Sequence, residues 1–227
     1  MAGDAESASG RRRRLIIDAA LTILAEEGGS ALTFARVVEV AELSSSRLIT
    51  YHFTDRDGLL RAMTERVLDD FGRAVAADLA SGGTVPTQLR RLFAAQARFM
   101  RDHRGHIVAL ATLVLPGSGG AGSAARVAGA SSAATGEALA GMIRDGQASG
   151  DIRAHADPDA AAFLIQRALE GLAMAVAADS GLDPVPAAEG MAEIVVAGLS
   201  TRVPTLESIA VEPTSVEPGD QGDVAPM

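Results

Sequence analysis

Apolar residues in this chain recur three and four positions apart, and each run is stopped by glycine, proline or a capping side chain. That spacing gathers them on one side of a helix but scatters them over both faces of a strand, so it argues against a sheet-based core. The first run, Leu15, Ile16, Ala19, Ala20, Ile23 and Leu24, stops at Gly28 and Gly29, where a helix-closing glycine belongs. Thr33 is placed to cap a second helix with Phe34, Val37, Val38 and Ala41 inward. A third, short helix is predicted over 45–51. Asp55 then caps a fourth, carrying Leu59, Leu60, Met63, Val67, Leu68, Phe71, Val75 and Leu79 and closed by Ser81, Gly82 and Gly83.

The second half reads as five more helices. Pro86 opens the fifth, with Leu89, Leu92, Phe93, Gln96, Phe99 and Met100 on its stripe, and the sixth covers 107–115, ahead of Pro116. A glycine-rich linker at 117–123 leads to a seventh over 124–149. Asp157 as cap and Pro158 behind it start an eighth that continues to Ala178, and a ninth spans 186–201. The fold class expected is all-α, with about nine helices. A single Tyr and six Phe support that reading, as does the abundance of Ala and Gly, because tight helix packing favours small residues. Residues 1–10 are small and polar, and 204–227 are acidic, so both are expected to be disordered tails.

The eighth helix is apolar at nearly every angle, and the ninth almost as much. Such helices are buried on two sides, either inside one monomer or between two subunits. Ala168, Gly171, Ala175 and Gly198 are small enough to allow close approach.

Several function classes are disfavoured. Without cysteine there is no disulfide framework, thiolate nucleophile or thiolate metal site. Lysine is also absent, so a Schiff base has no donor, and neither a P-loop nor a G-x-S-x-G motif occurs. His103 and His106 beside Asp102 suggest a helical metal pair, but the repeated Glu-x-x-His of a di-metal bundle is missing. An enzyme is therefore not expected, nor are a metal or cofactor. No apolar stretch is expected to reach the roughly 18 residues of a membrane span, and the arginines at 11–14 precede no cleavage site. The cytoplasm is the default location.

A net charge of −9 argues against a polyanion partner until its distribution is considered. Glu207, Glu212, Glu217, Asp220 and Asp223, with no base from 204 onward, carry five of those nine charges, while Arg11, Arg12, Arg13 and Arg14 lie at the opposite end. Hydrogen-bonding groups are concentrated in LSSSRLITYHFTDRDGLL, residues 43–60. On a wheel at 100° per residue, Leu48 and Ile49 fall on one side and Ser44, Arg47, Thr50 and Tyr51 on the other. An exposed polar face held by a small apolar anchor, preceded by a short helix across a tight turn, suits a helix-turn-helix reading the major groove. By the wheel alone, an ordinary solvated helix fits as well.

Residues 14–60 resemble the DNA-binding region of the TetR family of bacterial transcriptional regulators. The shared features are Ala19-Ala20, Gly28, Thr33, Ala41, the serines at the turn and Tyr51-His52-Phe53 ahead of an acid-rich helix start. The chain departs from the pattern in having Glu42 where the family usually has glycine, Arg56 for lysine, and one extra residue before the His-Phe pair. The resemblance implies a three-helix DNA-binding domain over 11–60 and a helical ligand-binding and dimerisation domain over 61–203. Its DNA contacts would be Thr33, Ser44, Ser45, Ser46, Arg47, Thr50, Tyr51 and Arg56, joined by Arg11 to Arg14 along phosphates or in a minor groove. His52 turns toward the core side and would either position the backbone or touch a phosphate.

The implied partners are a palindromic double-stranded DNA operator, a small-molecule effector and a second copy of the chain, with no membrane. Polar residues within apolar stripes are the candidates for the ligand pocket: Gln96, His103, Thr112, Gln166, Arg167 and Glu170. Phe99, Met100, Met142, Phe163 and Met174 either line that pocket or are plain core. The family pairs subunits through its last two long helices, which assigns Leu164, Ala168, Gly171, Leu172, Ala175, Met191, Ile194, Val195 and Leu199 to the interface. The implied function is a repressor released from DNA by its ligand; the alternative is a binding protein of the same fold that no longer reads DNA.

Overall fold

Local capping chemistry decides where most of the helices begin. In the computed structural model, which describes residues 7–114 and 122–201, the described residues form nine helices and no strand. In order they are α1 (Ala8–Glu26), α2 (Phe34–Val40), α3 (Arg47–Phe53), α4 (Arg56–Leu79), α5 (Val85–Asp102), α6 (Arg104–Val114), α7 (Ser123–Ala148), α8 (Pro158–Ala178) and α9 (Pro184–Leu199). The carboxylate of Asp55 accepts the Gly58 N–H at 2.7 Å. Asp157 likewise accepts from Asp159 and Ala160 at 2.9 and 3.1 Å, with Pro158 in the first turn. Each satisfies amide donors that the helix start would otherwise leave unmet.

Some boundaries differ from the sequence reading. Residues 8–10 are helical, because the Ser7 hydroxyl caps α1 by accepting the Gly10 N–H at 3.0 Å. Within α1, Leu15 is 48% exposed and Ile17 takes its place in the core. The third helix starts at Arg47, two residues later than predicted, since the Ser45 side chain accepts the Arg47 N–H and holds the preceding segment in a turn. Helix α6 begins three residues early, at Arg104, and α9 is shifted toward Pro184 because Asp183 provides its cap. Residues 1–6, the linker and helix end at 115–121, and the acidic tail within 202–227 lie outside the described residues.

The interior forms two apolar clusters. One joins α1 to α4 around Ile16, Leu24, Val37, Ile49, Phe53 and Met63, and takes Ala109 and Leu113 from α6 and Ala124 from α7. The other packs α5 to α9 around Leu89, Phe93, Ile143, Ile165 and Val196. Helix α4 serves both: Leu59, Leu60, Met63 and Val67 face the first, and Phe71, Ala74, Val75 and Leu79 pack on the second.

Two arginines close helix ends across long sequence distances. Arg104 donates to the carbonyls of Val176, Asp179 and Leu182 at the end of α8, and Arg153 donates to those of Ala197 and Ser200 at the end of α9. Cationic donors there match the carbonyl-rich, negative end of each helix dipole.

Helix α8 has 21 residues and a mean hydropathy of 1.4 over its most apolar window, long and apolar enough by length and composition to cross a membrane. This corrects the expectation that no stretch reaches that length. Its residues divide by flank: Ala162, Ile165, Leu169, Leu172 and Val176 lie in the core, while Phe163 and Leu164 are exposed. The core flank is covered by the chain's own helices, and among the described residues nothing covers the outer flank.

Candidate functional site

Helix α3 is seven residues long and is held by few side chains. Ile49 and Phe53 are buried in the first cluster and Leu48 is half-buried. Ser44, Ser46, Arg47, Thr50 and Tyr51 are exposed, Tyr51 at 80%, and Ser45 is half-buried. Thr50 donates its hydroxyl to the Arg47 carbonyl at 3.1 Å, which leaves the two long side chains, Arg47 and Tyr51, projecting beyond it. His52 is half-buried between its neighbours, its ring edge-on to Tyr51 at 5.1 Å and 6.2 Å from Phe53. Thr50 and Tyr51 share the open face.

Around α3 stand the other candidate contacts. Thr33 is exposed and caps α2 by accepting the Arg36 N–H at 3.2 Å. Arg11 to Arg14 are exposed and wound into the first turns of α1 instead of trailing as an extended arm. Successive residues are turned by about 100°, so the four fan around the helix. Arg13 lies over the Phe53 ring at 5.2 Å, which seats this cationic turn against the end of α3. Arg56 is exposed in the first turn of α4.

The turn between α2 and α3 places Glu42 at φ 49°, a left-handed conformation that disfavours side chains with a Cβ. Glycine accommodates it freely. Glu42→Gly is therefore expected to stabilise the fold by about 1 kcal/mol, read as a higher urea midpoint with an unchanged slope; an unchanged or lower midpoint would show that no strain resides there.

Sequence reading missed the contacts that orient this surface. Arg36 forks onto the Glu27 carboxylate at 2.8–3.1 Å and reaches Glu39 at 2.8 Å, tying α2 to the end of α1. That pairing holds the Glu27 carboxyl below its usual range. Asp57, next to Arg56, accepts the Ser123 N–H at 3.3 Å, and the Ser123 hydroxyl donates to the Asp57 carbonyl at 3.1 Å. Hydrogen bonding from Ser123 lowers the Asp57 carboxyl as well. The start of α4 is thereby latched to the start of α7.

A cavity of about 450 Å³ opens between α4, α5, α6, α7 and α8. Of the sequence candidates, Gln96, Phe99, Met100, Gln166, Arg167, Glu170 and Met174 line it. Four others lie elsewhere. His103 is an exposed cap at the end of α5, stacked on His106 at 5.5 Å. Thr112 donates to the Val108 carbonyl at 2.8 Å and sets its methyl against Gly29. Met142 packs on the second cluster, and Phe163 is 59% exposed on the outer flank of α8 under the Arg167 guanidinium. Phe71, Leu110, Ser132 and Thr135 line the cavity without having been foreseen. The α7 wall is built from small residues whose stripe is too weak to stand out in sequence.

On the outer flanks of α8 and α9, Leu164 and Ile194 are 66% and 76% exposed, with Gly171 and Ala175 open beside them. Ala168, Met191, Val195 and Leu199 are half-buried. Leu172 is 4% exposed and turned into the chain's own core, so it is unavailable to a second subunit.

His106, on α6, has a buried Nδ1 with no hydrogen-bond partner among the described residues. Burial, and then the charge of His103, push its pKa below the ordinary 6.5, partly offset by Asp70 and Asp18. Protonation therefore favours the unfolded chain, and this contribution to stability, present above that ordinary value, fades as pH falls below it. The lowered carboxyls of Glu27, Asp57, Asp70 and Glu193 act only at more acid pH, below ordinary values of 3.8–4.5. Urea midpoints are expected to fall between about pH 7 and pH 5, less steeply in His106→Asn; parallel slopes would assign the loss to other groups.

Residues 16–63 match the model of the bacterial regulatory proteins of the tetR family. The HTH-type transcriptional regulator BetI of Burkholderia thailandensis is 38% identical over 85 residues, 37% of this chain and 43% of that protein. BetI 1 of Chromohalobacter salexigens is 35% identical over 77 residues, 34% and 38% of the two chains. The chain thus aligns with less than half the length of these curated relatives. Solved structures match along nearly their whole length. A TetR-family transcriptional regulator from a Rhodococcus species is 28% identical, with 82% of this chain and 98% of that one covered and a TM-score of 0.64. A transcriptional regulator from Saccharomonospora viridis in complex with choline shares the fold at 20% identity, with 85% and 99% coverage and a TM-score of 0.68.

Proposed function

Because this chain belongs to the tetR family of bacterial regulatory proteins, we propose that it is a cytoplasmic, sequence-specific DNA-binding regulator, a homodimeric repressor released from a palindromic operator by a small molecule. The observation that carries this reading is the α3 face, where Arg47, Thr50 and Tyr51 stand exposed over the buried anchor Ile49. Arg47 would pair with a guanine edge, Tyr51 with a base or phosphate, and Thr33, Ser44, Ser46 and Arg56 with the flanking backbone. Wound into α1, Arg11 to Arg14 suit phosphates better than the floor of a minor groove.

The reading domain would cover 11–60 and the effector and dimerisation domain 61–203. The open flanks of α8 and α9 would meet their copies about a two-fold axis, setting two α3 helices about one DNA turn, or about 34 Å, apart. A ligand in the cavity touches both α4 and α7, the two helices joined by the Asp57–Ser123 latch. Binding that favours one arrangement of that pair shifts the spacing of the reading helices. The exposed acid Glu42 at the turn favours a second reading, a ligand-binding protein that has lost DNA affinity.

The deciding experiment is retention of genomic DNA fragments by the purified protein at about 150 mM salt, near physiological ionic strength, followed by sequencing. Enrichment of a palindromic site supports the regulator. A folded dimer that enriches nothing, with or without candidate ligands, points to the second reading.

A further inference from the structure

Helices α4 to α8 build a cavity whose lining is mostly apolar, with Phe71, Phe99, Met100, Leu110, Leu139 and Met174 supplying its bulk. Its only charged lining residues among the described residues are Arg167 and Glu170, and these neutralise each other at 2.6 Å. The neighbouring polar groups are also engaged: the Gln166 amide donates to the Ser132 carbonyl at 2.7 Å and lies 2.6 Å from the Ser132 hydroxyl. Gln96 differs from all of these. It is 6% exposed, lines the cavity from α5, and its side-chain amide forms no hydrogen bond among the described residues. Its amide opens onto the cavity it borders and offers a donor and an acceptor there that no described protein group occupies.

We propose that this cavity takes an uncharged, mainly apolar ligand of about 15 non-hydrogen atoms, counting about 30 Å³ for each, whose hydroxyl, carbonyl or amide group seats on Gln96. The proposal rests on the effector-binding reading and adds the ligand's chemical class. An anion would need an uncompensated cation, and the one arginine present is already paired. A quaternary ammonium would need a cage of aromatic faces or an unpaired carboxylate. Phe71 and Phe99 instead meet edge to face at 5.3 Å and 81°, and Glu170 is held by Arg167.

Three probes with one tail and different heads separate these cases: 1-octanol, octanoate and octyltrimethylammonium, titrated calorimetrically into the full chain. We expect 1-octanol to bind at least about tenfold more tightly than either ion, and Gln96→Leu to weaken it by about tenfold. Leu139→Trp, which fills the cavity, abolishes binding and serves as a second check if the Gln96 variant fails to fold. Tighter or equal binding of either ion, undiminished affinity in Gln96→Leu, or no binding of 1-octanol would each overturn the proposal. Because no readout involves DNA, a chain that retains an operator but fails the series loses only the ligand class. One that passes the series without retaining DNA keeps the ligand class and loses the regulator.

Discussion

Replacing Arg47 and Tyr51 together by alanine is expected to lower affinity for the enriched operator by about 100-fold or more while leaving the melting temperature nearly unchanged. Both side chains point away from the protein, and neither takes part in the apolar cluster that seats α3. The Ser45 cap acts on the Arg47 backbone N–H, so it survives the substitution. One bidentate base contact is worth about 1–3 kcal/mol, and two such losses multiply in affinity. Single variants measured across salt concentration assign the roles. If a side chain reads a base, its loss erodes discrimination between operator and random DNA. If it touches phosphate, affinity falls alike on both and the salt slope shrinks by about one. Operator binding unchanged in the double variant would remove α3 as the reading element.

The second large effect is expected at the opposite end of the molecule. Leu164→Glu with Ile194→Glu places carboxylates on the two most exposed apolar side chains of α8 and α9. If these flanks join two copies, sedimentation will report a monomer, because like charges would then face each other in an apolar contact. DNA affinity will fall by about 100-fold or more, since two linked half-sites reinforce each other by factors of 10² to 10⁴. The monomer should keep its helical content, as neither residue belongs to the core. A dimer that persists would place the interface elsewhere. Leu172, despite lying on the same helix, is unsuited to this test: its side chain fills the chain's own interior, and changing it would unfold the second cluster.

What could be read from sequence is what local chemistry decides. Thr33, Asp55 and Asp157 with Pro158 announced three helix starts because a cap needs only the amides two or three residues ahead. The polar face of α3 was legible because Leu48 and Ile49 fix its rotation. The cavity was half legible: α5 and α8 carry polar residues inside strong apolar stripes, whereas α7 contributes Ala128, Gly129 and Ser132, which give no such contrast. His103 and Thr112 satisfied the same criterion but sit at a helix end and against the α1–α2 turn. The Asp57–Ser123 latch joins residues 66 positions apart, and Arg104 caps a helix end 72 to 78 positions away. Pairings over such distances are set by tertiary packing, and no feature of one sequence marks them.

The division of the interior into two clusters strung along α4 also bears on how such a chain can change over generations. A substitution that reshapes the wall around Phe99 or Leu139 alters packing in one cluster and leaves Ile49 and Phe53 in place beneath the exposed face of α3. If the cavity takes an effector and α3 reads an operator, new ligand preferences can accumulate at one end while the operator continues to be recognised at the other. Only α4 and its partners at the seam, Asp57 and Ser123 among them, must satisfy both demands at once, so variation there is the most constrained.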